Sequence, residues 1–172
     1  MTSDTSSTSQ HVSQHVQVYC IYINAPAQRI WDAITRSEHT TRWGYGGATE
    51  FDMTPGGAYT NFTTAEMKAM GMGEVAVSGT VVEVDEPAKL VLDWLPSWHA
   101  TSPATRLTWE LTEYPSGLTK VVLTHDLSAA PEYAGEVAGG GDPGQGGGGW
   151  PWCLSGLKTL METGKPMDTP AA

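Results

Sequence analysis

The strongest constraint on the fold of this chain is a series of four consecutive segments in which apolar and polar residues alternate. One long amphipathic segment follows them. In the third segment Leu107, Trp109 and Leu111 occupy every second position, and hydroxyl or charged residues fill the positions between them. Period two is typical of antiparallel strands with one dry and one wet face. The sequence therefore predicts a curved antiparallel meander that buries one face. Its segments are 75–85, 89–95, 105–114 and 118–125.

The residues before this meander predict three more strands and two short helices. The β-branched and aromatic run 16–24 reads as a first strand. Pro26 suits the first position of a helix, and Ser37 can cap a second short helix that runs to about Trp43. Residues 64–74 hold three methionines and read as a loop or a single helical turn. Two small strands, 48–53 and 58–63, precede them.

A glycine-rich stretch separates the meander from the last helix. Residues 131–149 contain nine glycines in nineteen positions, which predicts a flexible loop. The stretch lacks the Gly-Lys-Ser/Thr ending of a phosphate-binding loop. A helix then opens at Pro151 and ends at Gly164. Because no other long amphipathic segment is available, this helix is expected to cover the dry face of the sheet.

These elements predict one α+β domain over 16–166, flanked by tails at 1–15 and 167–172. Its sheet would have six to seven antiparallel strands curved around the C-terminal helix, with the two short helices after the first strand. The tail 1–15 consists mostly of Ser, Thr, Gln and His, and cannot bury enough surface to order itself. His11 and His15 in it are expected to be solvated.

Charge and composition exclude several classes of partner. A formal net charge of −10 argues against a protein that holds phosphate backbones. No apolar run approaches the roughly 20 residues of a membrane helix, and the first residues lack the basic-then-apolar start of an export signal. We therefore expect a cytoplasmic protein with no nucleic-acid or membrane partner. Cys20 and Cys153 are expected to be buried free thiols, and no metal-ligand spacing is present in the part of the chain expected to be ordered.

Several phrases of the sequence, in this order, resemble the helix-grip, START-like (SRPBCC) superfamily. They are APAQRIWDAIT, PGGAY, SGTVVEVDEPAKLVLDW, TRLTWELTEYPSGLTKVVLTH and GWPWCLSGLKTLMETGKP. They look most like the branch named after the activator of the ninety-kilodalton heat-shock protein's ATPase, which connects to the stress response. The resemblance spans 16–166 and implies a hydrophobic cavity between sheet and helix. Relatives bind lipids, hormones or polyketides there, some catalyse on them, and no cofactor is implied.

An excess of tryptophan points to the same place. The chain has seven Trp and seven Met against two Phe. Trp and Met side chains often contact flat or apolar binding partners. Strand alternation places His125 on the inner face of the sheet. Three roles are open for it there: a polar anchor for a ligand, a general base, or a core histidine closed off from solvent. An open cavity with a second polar group beside His125 would indicate catalysis. The other expected ligand-binding residues are Trp43, Met70, Trp94, Trp98, Trp109, Trp150, Leu154 and Leu157.

The leading functional prediction is binding of a small hydrophobic or aromatic molecule between sheet and helix, by a monomer or homodimer. One alternative is a cyclase, hydratase or hydrolase that acts on an aromatic or polyketide-like substrate with His125 as base. Paired carboxylates and a Gly-x-Ser-x-Gly elbow are absent from the sequence, so enzyme activity stays open. A second alternative is an interaction module that binds a chaperone, as the resemblance implies.

Overall fold

A computed structural model describes residues 15–170, which fold into seven strands and five helices. None of these helices is long and apolar enough to cross a lipid bilayer. The strands are β1 (Val16–Ile23), β2 (Thr49–Phe51), β3 (Ala58–Phe62), β4 (Val75–Asp85), β5 (Lys89–Pro96), β6 (Thr105–Glu113) and β7 (Thr119–Asp126). The helices are α1 (Ala27–Thr35), α2 (Ser37–Thr40), α3 (Ala65–Ala69), α4 (Ala134–Val137) and α5 (Gly149–Thr163).

All seven strands belong to one antiparallel sheet with the order β1-β7-β6-β5-β4-β3-β2. The first strand pairs with the last, so the beginning of the chain completes the meander that the alternating segments build. Gln17 lies opposite His125, and His125 lies opposite Leu107 on the other side. The α+β class, the antiparallel sheet and the long C-terminal helix are confirmed.

The core lies between the inner face of the sheet and α5. Leu154, Leu157 and Leu160 of α5 are at most 3% exposed, because apolar residues recur at helical spacing on the side that faces the sheet. Each fully buried leucine contributes roughly 1.5–3 kcal/mol. Sheet residues that are at most 5% exposed beneath them are Val81, Leu90, Leu92, Trp109, Leu107, Leu111, Val121 and Leu123.

The two short helices close one end of this core. In α1 the buried residues Ile30, Trp31 and Ile34 form one stripe. Helix α2 is shorter than predicted, because the chain turns away after Thr40 towards Gly44 and Gly46, which adopt φ values of 60° and 78°.

Two segments predicted as loops contain short helices. The stretch 64–74 includes α3, whose Thr64 cap accepts a hydrogen bond from the Met67 amide at 3.3 Å. This confirms the prediction of a loop or a single helical turn. The glycine-rich stretch holds α4, and its flexibility stays a prediction. Helix α5 begins at Gly149, before Pro151, and ends at Gly164 in the left-handed conformation.

The glycine-rich insert (131–148) makes hydrogen bonds to other parts of the domain near both of its ends. Near its start, the Glu136 carboxylate accepts from Trp98 Nε1 at 3.0 Å and lies 2.9 Å from His99 Nε2. Near its end, the Gly148 amide donates to the Tyr45 hydroxyl at 2.9 Å. The Trp98–His99–Glu136 group, called the Glu136 clamp below, therefore joins the β5–β6 loop to the insert.

The outer face of β1 corrects one expectation. Cys20 is exposed, so the prediction that both thiols are buried was wrong for this residue. The physical reason is the alternation of the strand: Cys20 shares its outer face with Val18 and Tyr22, which are 61% and 47% exposed. Cys153, in the first half of α5, is partly buried.

Candidate functional site

His125 lies at the centre of a hydrogen-bonded chain inside the molecule. Trp150 donates its indole N–H to Nδ1 of His125 at 3.0 Å. Because Nδ1 accepts, the neutral ring carries its proton on Nε2, which lies 2.8 Å from Oγ1 of Thr105. The Thr105 hydroxyl can then donate to the Trp94 carbonyl at 3.2 Å. Both nitrogens of the imidazole are therefore used.

Burial governs the acid–base behaviour of His125. The residue is 0% exposed, and desolvation lowers the pKa of its imidazole from 6.5 to about 4, although Asp126 acts in the opposite direction. The imidazole is therefore neutral at pH 7. Thr105 is a second polar group within reach, but the ring itself has no exposed surface. This geometry favours a sealed histidine that orients Trp150.

Four of the predicted tryptophans converge between the sheet and α5. Trp150 contacts Trp94 and Trp109 at ring-centroid distances of 6.3 and 6.1 Å, and Trp109 contacts Trp43 at 6.4 Å. The contacts with Trp109 are edge-to-face, a favoured aromatic geometry. Trp43 and Trp150 remain partly accessible, whereas Trp94 and Trp109 are buried. Leu154 and Leu157 pack beside them in the same core. The indoles thus occupy the middle of the gap.

Two predicted residues lie outside this group. Trp98 is 52% exposed, because the β5–β6 loop directs it towards Glu136 rather than into the core. Met70 follows α3 and is 70% exposed. Neither residue lines the interior. Within residues 15–170, no three His, Cys, Asp or Glu side chains come together as metal ligands.

A second aromatic group lies at the β2–β3 end of the interior. Register places Phe51 opposite Tyr59, and their rings stack at 4.9 Å. Tyr59 in turn lies opposite Gly79, and Gly79 lies opposite Trp94. Since neighbours across antiparallel strands share a face, the inner face carries no side chain between Tyr59 and Trp94.

Gly79 is required by the backbone. A Cβ at this position would lie 1.7 Å from the main-chain oxygen of Asp93, a distance that no side chain can adopt. The bare patch on the inner face is therefore a consequence of how closely β4 and β5 approach each other.

Tyr59 and Cys153 form a neutral pair, called the Tyr59–Cys153 pair below. Both side chains keep some accessible surface, yet burial raises the pKa of the Tyr59 phenol and raises that of the Cys153 thiol to about 12. Cys153 also raises the pKa of Tyr59 and of Tyr45, so the three groups are near one another. All three groups are neutral at pH 7.

A pocket of about 200 Å³ opens on the other side of Phe51, between α1 and β2. Trp31, Phe51 and Met53 provide its apolar wall, and Phe51 separates it from Tyr59. Asp32 and Arg36 form part of its polar rim, where they make an ion pair at 3.1 Å. Phe51 therefore links the pocket wall to Tyr59 through its ring stack.

Sequence reasoning missed this end of the interior. Phe51 and Tyr59 belong to strands of three and five residues, too short for a strong periodic pattern. One available signal is the turn at Thr54-Pro55-Gly56-Gly57: a hairpin centred on it sets Phe51 against Tyr59. The contribution of Cys153 and the bare patch at Gly79 depend on tertiary contacts, for which the sequence carries no local signal.

Comparison with known proteins assigns the family. A family model described as "Activator of Hsp90 ATPase homolog 1-like protein" matches residues 24–162. The chain therefore belongs to this family, within the START-like, helix-grip class whose members generally bind hydrophobic ligands. No curated protein matches the chain.

Solved structures show the same fold at low sequence identity. CalU16 from Micromonospora echinospora aligns with a TM-score of 0.64 and 20% identity, over 88% of this chain and 76% of its own. PFC0360w, an HSP90 activator from Plasmodium falciparum, aligns at 0.52 and 23%, over 65% of this chain and 72% of its own. DynU16, a putative protein in the dynemicin biosynthetic locus, aligns at 0.57 and 19%, over 88% and 49%.

Proposed function

We propose that this protein binds a small, flat, uncharged aromatic molecule at the Phe51–Tyr59 end of its interior. The observation that carries the proposal is the 200 Å³ pocket between α1 and β2, whose Phe51 wall stacks on Tyr59. Membership of a class that generally binds hydrophobic ligands supports the kind of ligand.

The size of the pocket sets a condition on binding. Ligand pockets commonly enclose about 300–1,000 Å³, more than the pocket holds. A ligand that displaces Phe51 would reach the inner face over Gly79, where no side chain stands between Tyr59 and Trp94. Binding then requires the Phe51–Tyr59 stack to open, and the aromatic ligand replaces the ring contact that is lost.

The neutral groups of the Tyr59–Cys153 pair favour an uncharged ligand. Tyr59 and Cys153 are both neutral at pH 7, because burial raises the pKa of each group. Their desolvation penalises any charge brought beside them. The Tyr59 hydroxyl is a neutral donor that can bond a carbonyl or hydroxyl on the edge of a flat ring system.

The structure disfavours the two alternatives, an enzyme with His125 as its base and a module that binds a chaperone. A cyclase or hydrolase with His125 as base needs a free imidazole nitrogen, and both nitrogens are bonded inside the core. Binding of a chaperone would use an outer surface. The solved structure of PFC0360w, described as an HSP90 activator, is 23% identical to this chain and supports the shared fold alone.

Titration with flat aromatic probes tests the proposal. Anthraquinone is expected to quench tryptophan fluorescence saturably, whereas the charged anthraquinone sulfonate is expected to bind more weakly. Fluorescence titrations with the two probes give the two dissociation constants to be compared.

The two phenylalanines of the chain provide matched variants. Phe51→Ala removes one wall and should weaken probe binding about tenfold, the value of one aromatic contact. Phe62→Ala, on the same hairpin but outside the pocket, should leave binding within about twofold. The proposal is wrong if no neutral probe binds saturably, or if Phe51→Ala binds as tightly as the parent protein.

A further inference from the structure

We propose a second binding site, for a small oxyanion, where α1, α2 and the end of α5 meet. A pocket of about 100 Å³ lies there, and Asp32 is the lining residue that it shares with the 200 Å³ pocket. Arg29, His39 and Arg42 provide its basic wall, and Leu160 and Met161 form its apolar floor. Nothing in the interior-binding proposal depends on this site.

The basic residues of this pocket form a local concentration of positive charge in an acidic protein. The chain has only four arginines against a net charge of −10, and three of them, Arg29, Arg36 and Arg42, lie between positions 29 and 42. Negative charges farther away than about 8 Å are screened at physiological salt, so the local groups decide what binds.

The guanidinium groups are not neutralised by neighbouring carboxylates. Within residues 15–170, the Arg29 backbone amide donates to the Pro26 carbonyl at 3.1 Å, but the Arg29 guanidinium makes no ion pair and no hydrogen bond. Arg42 donates through Nη2 to the Gly164 carbonyl at 2.9 Å and has other N–H groups to spare. Asp32, also on the pocket wall, is bonded by Arg36 at 3.1 Å, which offsets its charge. The group therefore keeps two uncompensated positive charges.

The size and chemistry of the pocket indicate the ligand class. A volume of about 100 Å³ is well below the roughly 300–1,000 Å³ of a drug-sized ligand pocket and suits one small oxyanion. Guanidinium groups bond planar carboxylates and phosphates through paired N–H donors. The Leu160–Met161 floor can in addition contact a short apolar chain attached to that group.

Nuclear magnetic resonance titration with inorganic phosphate, acetate and hexanoate tests this site. Each is added to the full chain at constant ionic strength, with chloride as the reference salt. We expect saturable shifts at the Arg29 and Arg42 side chains and at the Gly164 amide. Tighter binding of hexanoate than of acetate would identify an organic carboxylate as the ligand, whereas preference for phosphate would identify the inorganic or esterified ion.

Substitutions separate the site from general charge effects. Arg29→Gln should weaken binding about tenfold, the value of one charge-assisted hydrogen bond, and Arg42→Gln should act similarly. Arg106→Gln is the matched control, since Arg106 pairs with Asp93 on the outer face of the sheet. Shifts that do not saturate with any of the three anions, or that Arg29→Gln and Arg106→Gln change equally, would overturn the proposal.

Discussion

At the scale of single residues, His125 shows how a polar group can stabilise an aromatic interior. Its ring accepts from Trp150 and donates towards Thr105, so it fixes an indole that would otherwise leave its N–H unpaired in the core. The cost of burial appears in its pKa, which falls to about 4. From this lowered pKa we predict how the free energy of unfolding depends on pH.

The predicted effect is a loss of stability in mild acid. In the unfolded chain the pKa of a histidine is near 6.5, so below this pH the unfolded state binds a proton that folded His125, with a pKa of about 4, refuses. Stability is therefore complete above about pH 6.5 and falls until about pH 4. The shift corresponds to roughly 3 kcal/mol.

Urea unfolding of the parent protein and His125→Gln at pH 7.5 and pH 4 measures this term. The variant is less stable at neutral pH, but it should lose about 3 kcal/mol less on acidification. His15→Gln, which removes an exposed histidine, is the matched control. Equal acid losses in the parent and His125→Gln would contradict the assignment.

At the scale of elements, the pairing of β4 with β5 controls the shape of the inner face. Gly79 lets the two strands approach, and it leaves the inner face without a side chain between Tyr59 and Trp94. One glycine therefore determines both a strand contact and the bare patch on the inner face.

Alanine at Gly79 should be strongly destabilising. Its Cβ would lie 1.7 Å from the Asp93 oxygen, so the two strands would have to separate locally. We expect a loss of more than about 2 kcal/mol in urea unfolding, as for other substitutions that force backbone strain. Gly73→Ala is the matched control: its Cβ meets open space, and the change should stay within about 0.5 kcal/mol. A neutral Gly79→Ala would show that the strands tolerate the shift.

The elements were also what the sequence predicted best. Strand alternation is a local property, so the inward direction of Trp94, Trp109 and His125 follows from parity alone. The α2 boundary was less predictable, because Gly44 and Gly46 end the helical path through conformations that no periodicity records. The Phe51–Tyr59 stack required the register of two very short strands.

At the scale of the whole molecule, contacts between distant segments hold the architecture together. The Glu136 clamp joins positions 37 and 38 residues apart, and Tyr133 stacks on His99 beside it at 4.4 Å. No pattern in the sequence indicates this contact, which also explains why Trp98 faces outward instead of lining the interior.

Breaking the clamp should loosen the β5–β6 loop without unfolding the protein. Glu136→Gln weakens the contacts to Trp98 and His99, which are exposed and contribute less than about 1 kcal/mol to global stability. Hydrogen exchange should become faster at residues 97–102 and 131–137 only. Glu110→Gln, on the outer face of β6, should change neither segment. Unchanged exchange in Glu136→Gln would show that the clamp does not hold the loop.

The double attachment of the insert has a consequence for engineering. Because Glu136 fastens its first part and Tyr45 fastens Gly148, the residues between them form a turn whose ends stay fixed whatever its length. Residues 139–147 are consequently a natural position at which a foreign peptide can be grafted, displayed away from the sheet while the domain keeps its packing.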